Sequence, residues 1–388
     1  MNKEYNIFII AYWHDPRFKK KIGGLIRIFD LADNLIEQGH SVSLFLPKIG
    51  FPKKQTVAKV IEILFIDLPI LRPISFHLMS SMALLFKLKN HPDLLYARQM
   101  NSFVPMLIAK LFKIPSFFEI PNDPYLAYRS KSQIRMLLER MIDKYSIKLS
   151  DNIVVLSEWS KRRLNQLGGV PLSKVMVLPS GTDTELFRPL SKEECCTRLG
   201  LDPSFSYVGF VGSFFFHQGI DTLIDSAQNV LERFTDTRFL LVGDGPMMDT
   251  WKQKVNHQGL GRAFVFSGHV PYQNVPEYIG VMDICVAPHR KDTNQASPVK
   301  IFDYMACGRP IVASDIEVIR EIIGDSRCAL LVPPESPHHL SVAITSLIED
   351  DILLNAMSMR ARQHVIDNFD RKKIPENLIF ALNKLAAR

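Results

Sequence analysis

Short apolar runs alternate along the whole chain with longer amphipathic stretches, a pattern that predicts βαβ units and parallel sheets. In the first half the strand candidates are Tyr5–Tyr12, Ser41–Leu46, Glu62–Ile66, Leu94–Ala97, Ser116–Ile120, Ile153–Leu156 and Val175–Leu178. In the second half they are Tyr207–Val211, Arg238–Val242, Ala263–Phe266, Ile284–Ala287, Pro310–Ala313 and Ala329–Val332. Helical spacing runs from Leu25 to Glu37, with Gly39 placed as a capping glycine, and again from Ile134 to Leu149. Phe187 to Pro203, rich in Pro, Ser and charge, is the expected boundary between a first domain at 1–190 and a second at 191–369. Three more helical stretches begin near Ser336, Asp351 and Lys373.

Ligands of open parallel sheets bind beyond the carboxyl ends of the strands, so the loops there are the candidates for chemistry. Gly23 and Gly24 precede the helix expected from Leu25. Paired glycines let backbone N–H groups approach a phosphate, which the helix dipole also attracts, or they form a plain flexible turn. His14, Asp15, Arg17 and Lys19–Lys21 make the same loop polar and basic. In the second half Tyr207–Val211 runs through Gly212 and Ser213 to Gly219 and a helix, again suited to a phosphate. Gly243-Asp244-Gly245-Pro246 forms a tight turn after the next strand. Ser267-Gly268-His269-Val270-Pro271 follows another, where Gly268 would let a flat base or ring lie against backbone.

The helix Val299–Ala306 is expected to have Ser297 as N-cap and Pro298 as its first residue, and to end at Gly308. Lys300 falls in its first turn, where the dipole disfavours a cation, and this points to an anionic ligand. Asp303, one turn on and on the same face, offers a carboxylate to ribose hydroxyls, or simply pairs with Lys300 at the surface. Arg98 closes the run Tyr96-Ala97-Arg98 and is a candidate contact for an acceptor or a phosphate.

A chain of 388 residues exceeds one ordinary core, and 47% hydrophobic with 22% charged residues is globular rather than disordered. Met1 is followed by Asn2, Lys3 and Glu4, so no secretory leader is read. The most apolar region, Val60 to Lys89, is broken by Glu62, Asp67, Arg72 and His77, too often for a membrane span. The five cysteines form no C-x-x-C pair, which predicts reduced thiols without disulfide or zinc site and a cytoplasmic protein. Charge shifts the picture further: residues 1–190 carry 27 Lys and Arg against 16 Asp and Glu, the remainder 20 against 24. A basic first half points to an anionic partner, or only keeps the protein soluble.

Arg129 to Lys148 concentrates this charge in Arg129, Lys131, Arg135, Arg140, Lys144 and Lys148. Ile134, Leu137, Leu138, Met141 and Ile142 recur near helical spacing there. Such a helix can lie on the inner face of an anionic membrane, or be the solvated face of a core helix. The apolar stretch Ile74–Phe86 and Lys53-Lys54 add to the membrane case. Nucleic acid is not an expected partner, because the basic residues lack interleaved aromatic platforms.

Taken in order, several motifs resemble the retaining family-4 glycosyltransferases over nearly the whole chain. They are Gly23-Gly24 with Glu37–Val42, Asp151–Ser157, Leu178–Asp183 with Phe187, Val242–Pro246, Ser267–Pro271, Met282–Pro288 and, above all, Phe302–Ala313. The resemblance implies an α/β GT-B fold, two Rossmann-like domains facing across a deep cleft. It implies a nucleotide-sugar donor bound mainly by the second domain and a glycan or lipid-linked acceptor bound by the first. It also implies retention of anomeric configuration, no metal or cofactor, and a final helix at about 370–388 crossing back to the first domain. Cell-envelope polysaccharide or glycolipid synthesis is the expected setting.

Several positions depart from the family. Its two paired acids fall on Gln295 and Asp303, so the position near the donor sugar is neutral. The Arg and Lys that the family uses for the diphosphate fall on Ser213 and Gln218. Lys300 is the expected replacement, helped by the helix start at Ser297 and by N–H groups near Gly23, Gly24 and Gly219. Gly243, Gly245, His269 and Val270 complete the expected donor contacts. The family often lines the reaction centre with a His or an acid after the strand Ser116–Ile120. Here that loop offers Glu119, Asn122 and Asp123, unless Asn-Asp-Pro is only a turn. The missing cations keep two alternatives open on the same fold: a non-catalytic nucleotide-sugar-binding protein and a nucleotide-sugar epimerase.

Overall fold

The computed structural model describes residues 3–12, 23–48, 56–68, 71–99, 102–122, 133–291 and 297–386. The chain divides into two compact units, Met1–Ser180 with Arg371–Arg388, and Gly181–Asp370. The division falls before the expected 190 because Leu186, Phe187 and Leu190 pack into the core of the second unit.

In the first unit β1 (Asn6–Ile10), β2 (Ser41–Pro47), β3 (Lys59–Ile63), β4 (Leu94–Arg98), β5 (Ser116–Ile120), β6 (Asn152–Val155) and β7 (Val175–Val177) form a parallel sheet of order β3-β2-β1-β4-β5-β6-β7. Helices α1 (Gly23–Glu37), α2 (Leu71–Lys87), α3 (Val104–Leu111), α4 (Gln133–Leu149) and α5 (Glu158–Gly168) lie between them. Side chains alternate across the sheet: Ile7 and Ile9 enter one core, Phe8 and Ile10 the other. Both faces are covered, so the central strands read as continuous apolar runs. The edge strand β3 is the exception. It pairs Lys59–Ile63 with Ser43–Pro47, three residues earlier than the run Glu62–Ile66, and leaves Leu64 and Ile66 exposed.

In the second unit β8 (Ser206–Val211), β9 (Thr237–Val242), β10 (Phe264–Gly268), β11 (Ile284–Ala287), β12 (Ile311–Ser314) and β13 (Ala329–Val332) form a parallel sheet of order β10-β9-β8-β11-β12-β13. Its helices are α6 (Lys192–Leu199), α7 (Ile220–Leu231), α8 (Met248–His257), α9 (Val275–Val281), α10 (Val299–Ala306), α11 (Glu317–Ile323), α12 (Pro337–Glu349) and α13 (Asp351–Asn368). A last helix, α14 (Ile374–Ala386), belongs to the first unit, where Leu378 and Leu382 join Leu25 and Ile28 of α1 in one core.

In each sheet the strand order reverses once, between β1 and β4 and between β8 and β11. These switch points are where doubly wound sheets open a crevice for ligands. Among the described residues no helix is long and apolar enough to cross a membrane. All five cysteines are buried and unpaired.

Candidate functional site

At the switch point of the second unit, the loops after β8 and β11 are in direct backbone contact. Arg290 N donates to His217 O over 3.1 Å. A Cβ added to Gly219, whose φ is +69°, would stand 1.8 Å from Pro288 O. The next loop is clasped just as closely: a Cβ on Gly243 would stand 1.9 Å from Gly212 O, and one on Gly245 2.7 Å from Phe214 O. The missing side chains of these glycines let three strand-following loops pack backbone to backbone, and this fixes where their N–H groups point. Arg290 locks the arrangement by pairing with Asp221 in the first turn of α7 and with Glu335, its guanidinium 3.9 Å above the Phe216 ring. Tyr304, buried on α10, accepts from Val211 N at the end of β8 over 2.7 Å.

Lys300 lies in the first turn of α10, as expected, and its ammonium donates to the side-chain oxygen of Gln218. Nζ also stands 4.5 Å above the Phe210 ring, and a Cβ on Gly212 would stand 3.0 Å from Lys300 Cε. Among the described residues no carboxylate lies within ion-pair distance of it. Burial pulls the Lys300 pKa down to about 7, against the opposing influence of the Asp303 carboxylate. Gln218, only 3% exposed, presents its amide nitrogen 3.0 Å from His217 Nε2. Burial and then the Lys300 charge hold His217 down at about 4, so its ring is neutral and can accept that amide proton. Gln218 thus stands where the family has a cation and aims a different cation instead.

The start of α10 differs by one residue from expectation. Pro298, with φ −77° and ψ 89°, is the N-cap and Val299 the first helical residue. Ser297 makes no cap; its Oγ is buried and has no hydrogen-bond partner among the described residues. The start of α10 thus carries uncapped N–H groups, an orphaned hydroxyl just before it and a buried ammonium in its first turn, groups suited to an anion. Asp303 is buried and accepts from the Thr182 hydroxyl over 2.6 Å, so one of its oxygens is already engaged. Ser213 follows Gly212 in the same loop, and His269 and Val270 follow β10, His269 exposed and Val270 packed on the core.

In the first unit Glu119 is fully buried at the end of β5. Arg27 of α1 donates to its Oε2 over 3.3 Å, the Tyr96 hydroxyl donates to the same oxygen, and Arg98 Nε stands 3.4 Å from Oε1. Arg27 also donates to Leu178 O and Pro179 O, at 2.7 and 2.9 Å. Burial would raise the Glu119 pKa, but Arg27, Arg98 and the Tyr96 hydroxyl outweigh it and hold the carboxyl below its ordinary value. A carboxylate so surrounded is committed to holding β4, β5 and α1 together. The candidate catalytic role of Glu119 gives way to a positioning one, and Arg98 spends part of its charge on Glu119. Asn122 is exposed. Gly23 and Gly24 are the first residues of α1 rather than a loop before it. Asp123 and Gln295 lie outside the described residues, as do His14, Asp15, Arg17, Lys19–Lys21, Lys53, Lys54, Arg129 and Lys131. Arg27 and Arg290 were missed by sequence reasoning; neither sits in a motif, and each acquires meaning only from partners distant in sequence.

A family model described as "Glycosyltransferase Family 4" matches residues 23–186, and one described as "Glycosyl transferases group 1" matches residues 206–350. The alpha-D-kanosaminyltransferase of Streptomyces kanamyceticus is 23% identical over 67% of this chain and 68% of its own length. The lipopolysaccharide core biosynthesis mannosyltransferase LpsB of Rhizobium meliloti is 28% identical over 50% of this chain and 56% of its own. The chain thus spans little more than half of that second relative. Among solved structures, sucrose-phosphate synthase from Thermosynechococcus elongatus superposes with a TM-score of 0.80 at 19% identity, covering 99% of this chain and 100% of that one. Anabaena HepE in complex with UDP superposes with a TM-score of 0.77 at 18% identity, covering 98% of this chain and 100% of that one. At these identities the structural likeness speaks for the fold.

Proposed function

Because the chain belongs to the family-4 glycosyltransferases of GT-B fold, we propose that it moves a sugar, with retention of configuration, from a nucleoside-diphosphate sugar to a hydroxyl of a lipid-linked or glycan acceptor. The observation that carries the donor half is Lys300, a buried ammonium in the first turn of α10 that donates to Gln218 and has no carboxylate within ion-pair distance among the described residues. As the bond to the sugar breaks, negative charge gathers on the leaving diphosphate. A pre-placed ammonium and uncapped N–H groups stabilise that charge where water is scarce. The reading needs no metal and names no carboxylate nucleophile; Asp303, oriented by Thr182, offers its remaining capacity to ribose hydroxyls. HepE is solved with UDP and with UDP-glucose, which supports uridine donors as the first to try.

The test is a thermal-shift panel of uridine, guanosine and adenosine diphosphates and their sugars. A matching donor at 100 times its Kd adds about 2.7 kcal/mol of stability. A panel in which no nucleotide shifts the transition removes the reading. A donor that binds but is not turned over leaves only a binding protein, and donor turnover with neither hydrolysis nor transfer points to the epimerase.

The acceptor half of the reading sits at an anionic membrane. On α4 the acids Glu139 and Asp143 are buried, whereas Leu137, Leu138, Arg140, Met141, Lys144, Tyr145 and Lys148 are exposed. The outward face of this helix is therefore both basic and apolar, the composition of an interfacial helix. Each lysine or arginine near an anionic surface adds about 1 kcal/mol. Cosedimentation with phosphatidylglycerol vesicles is expected at low salt and is expected to fall as salt rises. An absence of cosedimentation at low salt would reject this part.

A further inference from the structure

Between α2 and α3 of the first unit lies a cavity of about 380 Å³, lined among others by Pro73, Ile74, His77, Leu78, Ser102 and Val104. That is near the lower end of ligand pockets, roughly 300–1,000 Å³, the room of a chain segment rather than of a nucleotide sugar. His77 is 7% exposed, and among the described residues neither of its ring nitrogens has a hydrogen-bond partner. Desolvation holds its pKa at about 4, so the ring is neutral, with one N–H to donate and one bare nitrogen to accept. Buried polar atoms are nearly always paired, so two orphans on one wall of a cavity mark a place where something else supplies the partner. The Tyr12 ring packs on His77 at 5.6 Å, and Tyr12 lies just past the carboxyl end of β1. The cavity therefore adjoins the switch point of the first sheet.

Outward from the cavity, Ile74, Leu78, Met82, Leu85 and Phe86 recur along α2 at helical spacing, and all are exposed. Lys87 and Lys89 stand at the far end of this stripe, and exposed Lys110, Leu111, Phe112 and Lys113 at the end of α3 beside it. Hydrocarbon bordered by ammonium groups is complementary to a lipid, apolar in its chains and anionic in its headgroups.

We propose that this cavity takes one hydrocarbon chain of a lipid-linked acceptor, with His77 bonded to a hydroxyl or amide near the head of that chain. The inference rests on the reading above that the acceptor is lipid-linked, and it adds where the lipid is held. Chain length then becomes a specificity determinant, because each buried methylene adds a fixed increment of affinity until the cavity is full.

The experiment titrates n-alkyl glucosides, butyl to octyl and below their micellar concentrations, into the full chain by calorimetry without donor. Kd is expected to fall about fourfold per methylene and then level off. The double variant Ile74→Gln/Leu78→Gln changes two residues that are 60% and 61% exposed, so its fold should survive. It is expected to bind the octyl compound about tenfold or more weakly while nucleotide-induced thermal shifts stay as in the parent. In the parent, the ring 15N resonances of His77 should move on saturation. A Kd independent of chain length, or an unchanged Kd in the double variant, overturns the proposal. So does a concentration-dependent dimer that the double variant abolishes, which would assign the stripe to a second copy. A preserved chain-length trend supports the cavity even where every nucleotide fails, so the two readings fail separately.

Discussion

Lys300→Met is expected to lower kcat/KM for the nucleotide sugar by about 10²–10³-fold, the usual loss when a pre-placed stabiliser of transition-state charge is removed. Stability should hold or rise, since methionine keeps much of the volume and removes an enclosed ammonium that has no carboxylate partner among the described residues. The pH dependence gives an independent reading of the same group. In the free protein Lys300 titrates at about 7, held down by burial with Asp303 opposing. A diphosphate beside it favours the charged form and raises that value. Binding then takes up a proton between the free and bound values, so donor affinity is highest below pH 7 and weakens by up to about tenfold per pH unit above it. The measurement should use a nucleotide sugar, since a terminal phosphate titrates near ~6 itself. The sign for folding is opposite. The unfolded lysine, with a pKa of about 10.4, holds its proton where the folded one has lost it, so Lys300 makes stability rise with pH above about 7. The methionine variant should lack both trends. A donor Kd that is flat from pH 6 to 9, or equal in the variant, would show that some other group meets the diphosphate.

The places where sequence was sufficient and insufficient have physical causes. Central parallel strands are apolar on both faces, so Ile7–Ile10 or Ile284–Ala287 announce themselves as runs. The edge strand β3 needs only one apolar face, and its register is set by pairing with β2, so the sequence pattern slipped by three residues. Lys300 was legible because a cation in the first turn of a helix violates a local rule. Ser297 was misread because Ser-Pro suits two alignments of a helix start, and only the ψ of Pro298 decides between them. The glycines of the strand-following loops were found, but not the close backbone approaches they allow. Their neighbours are other loops, far away in sequence. Arg27 and Arg290 carried no local signal at all, since their carboxylates lie 92 and 69 residues away.

The first of these contacts, between Arg27 and Glu119, sets the largest expected loss of stability. Glu119→Gln keeps shape and hydrogen-bonding capacity but removes the carboxylate that Arg27 and Arg98, 13% and 15% exposed at their side chains, share. Breaking a buried pair from one side costs about 3–5 kcal/mol, because the remaining charge stays desolvated. A loss within that range is expected here, read as a lower denaturant midpoint with an unchanged slope. The pH dependence again has a definite sign. The folded carboxyl is held below its ordinary value, so its contribution is complete above an unfolded value of about 4.3 and is lost as pH falls through the lower folded value. The parent should therefore lose stability more steeply than the glutamine variant in that acid window. A catalytic Glu119 predicts the reverse division of effects: kcat would collapse while the midpoint stayed in place. A positioning Glu119 predicts that Arg27→Lys, which keeps a charge but loses the fork reaching Leu178 O and Pro179 O, also lowers the midpoint. Because Arg27 lies in α1, just behind the glycines that open that helix, loosening it should raise KM before it lowers kcat. That split is the measurement that separates holding the site together from taking part in its chemistry.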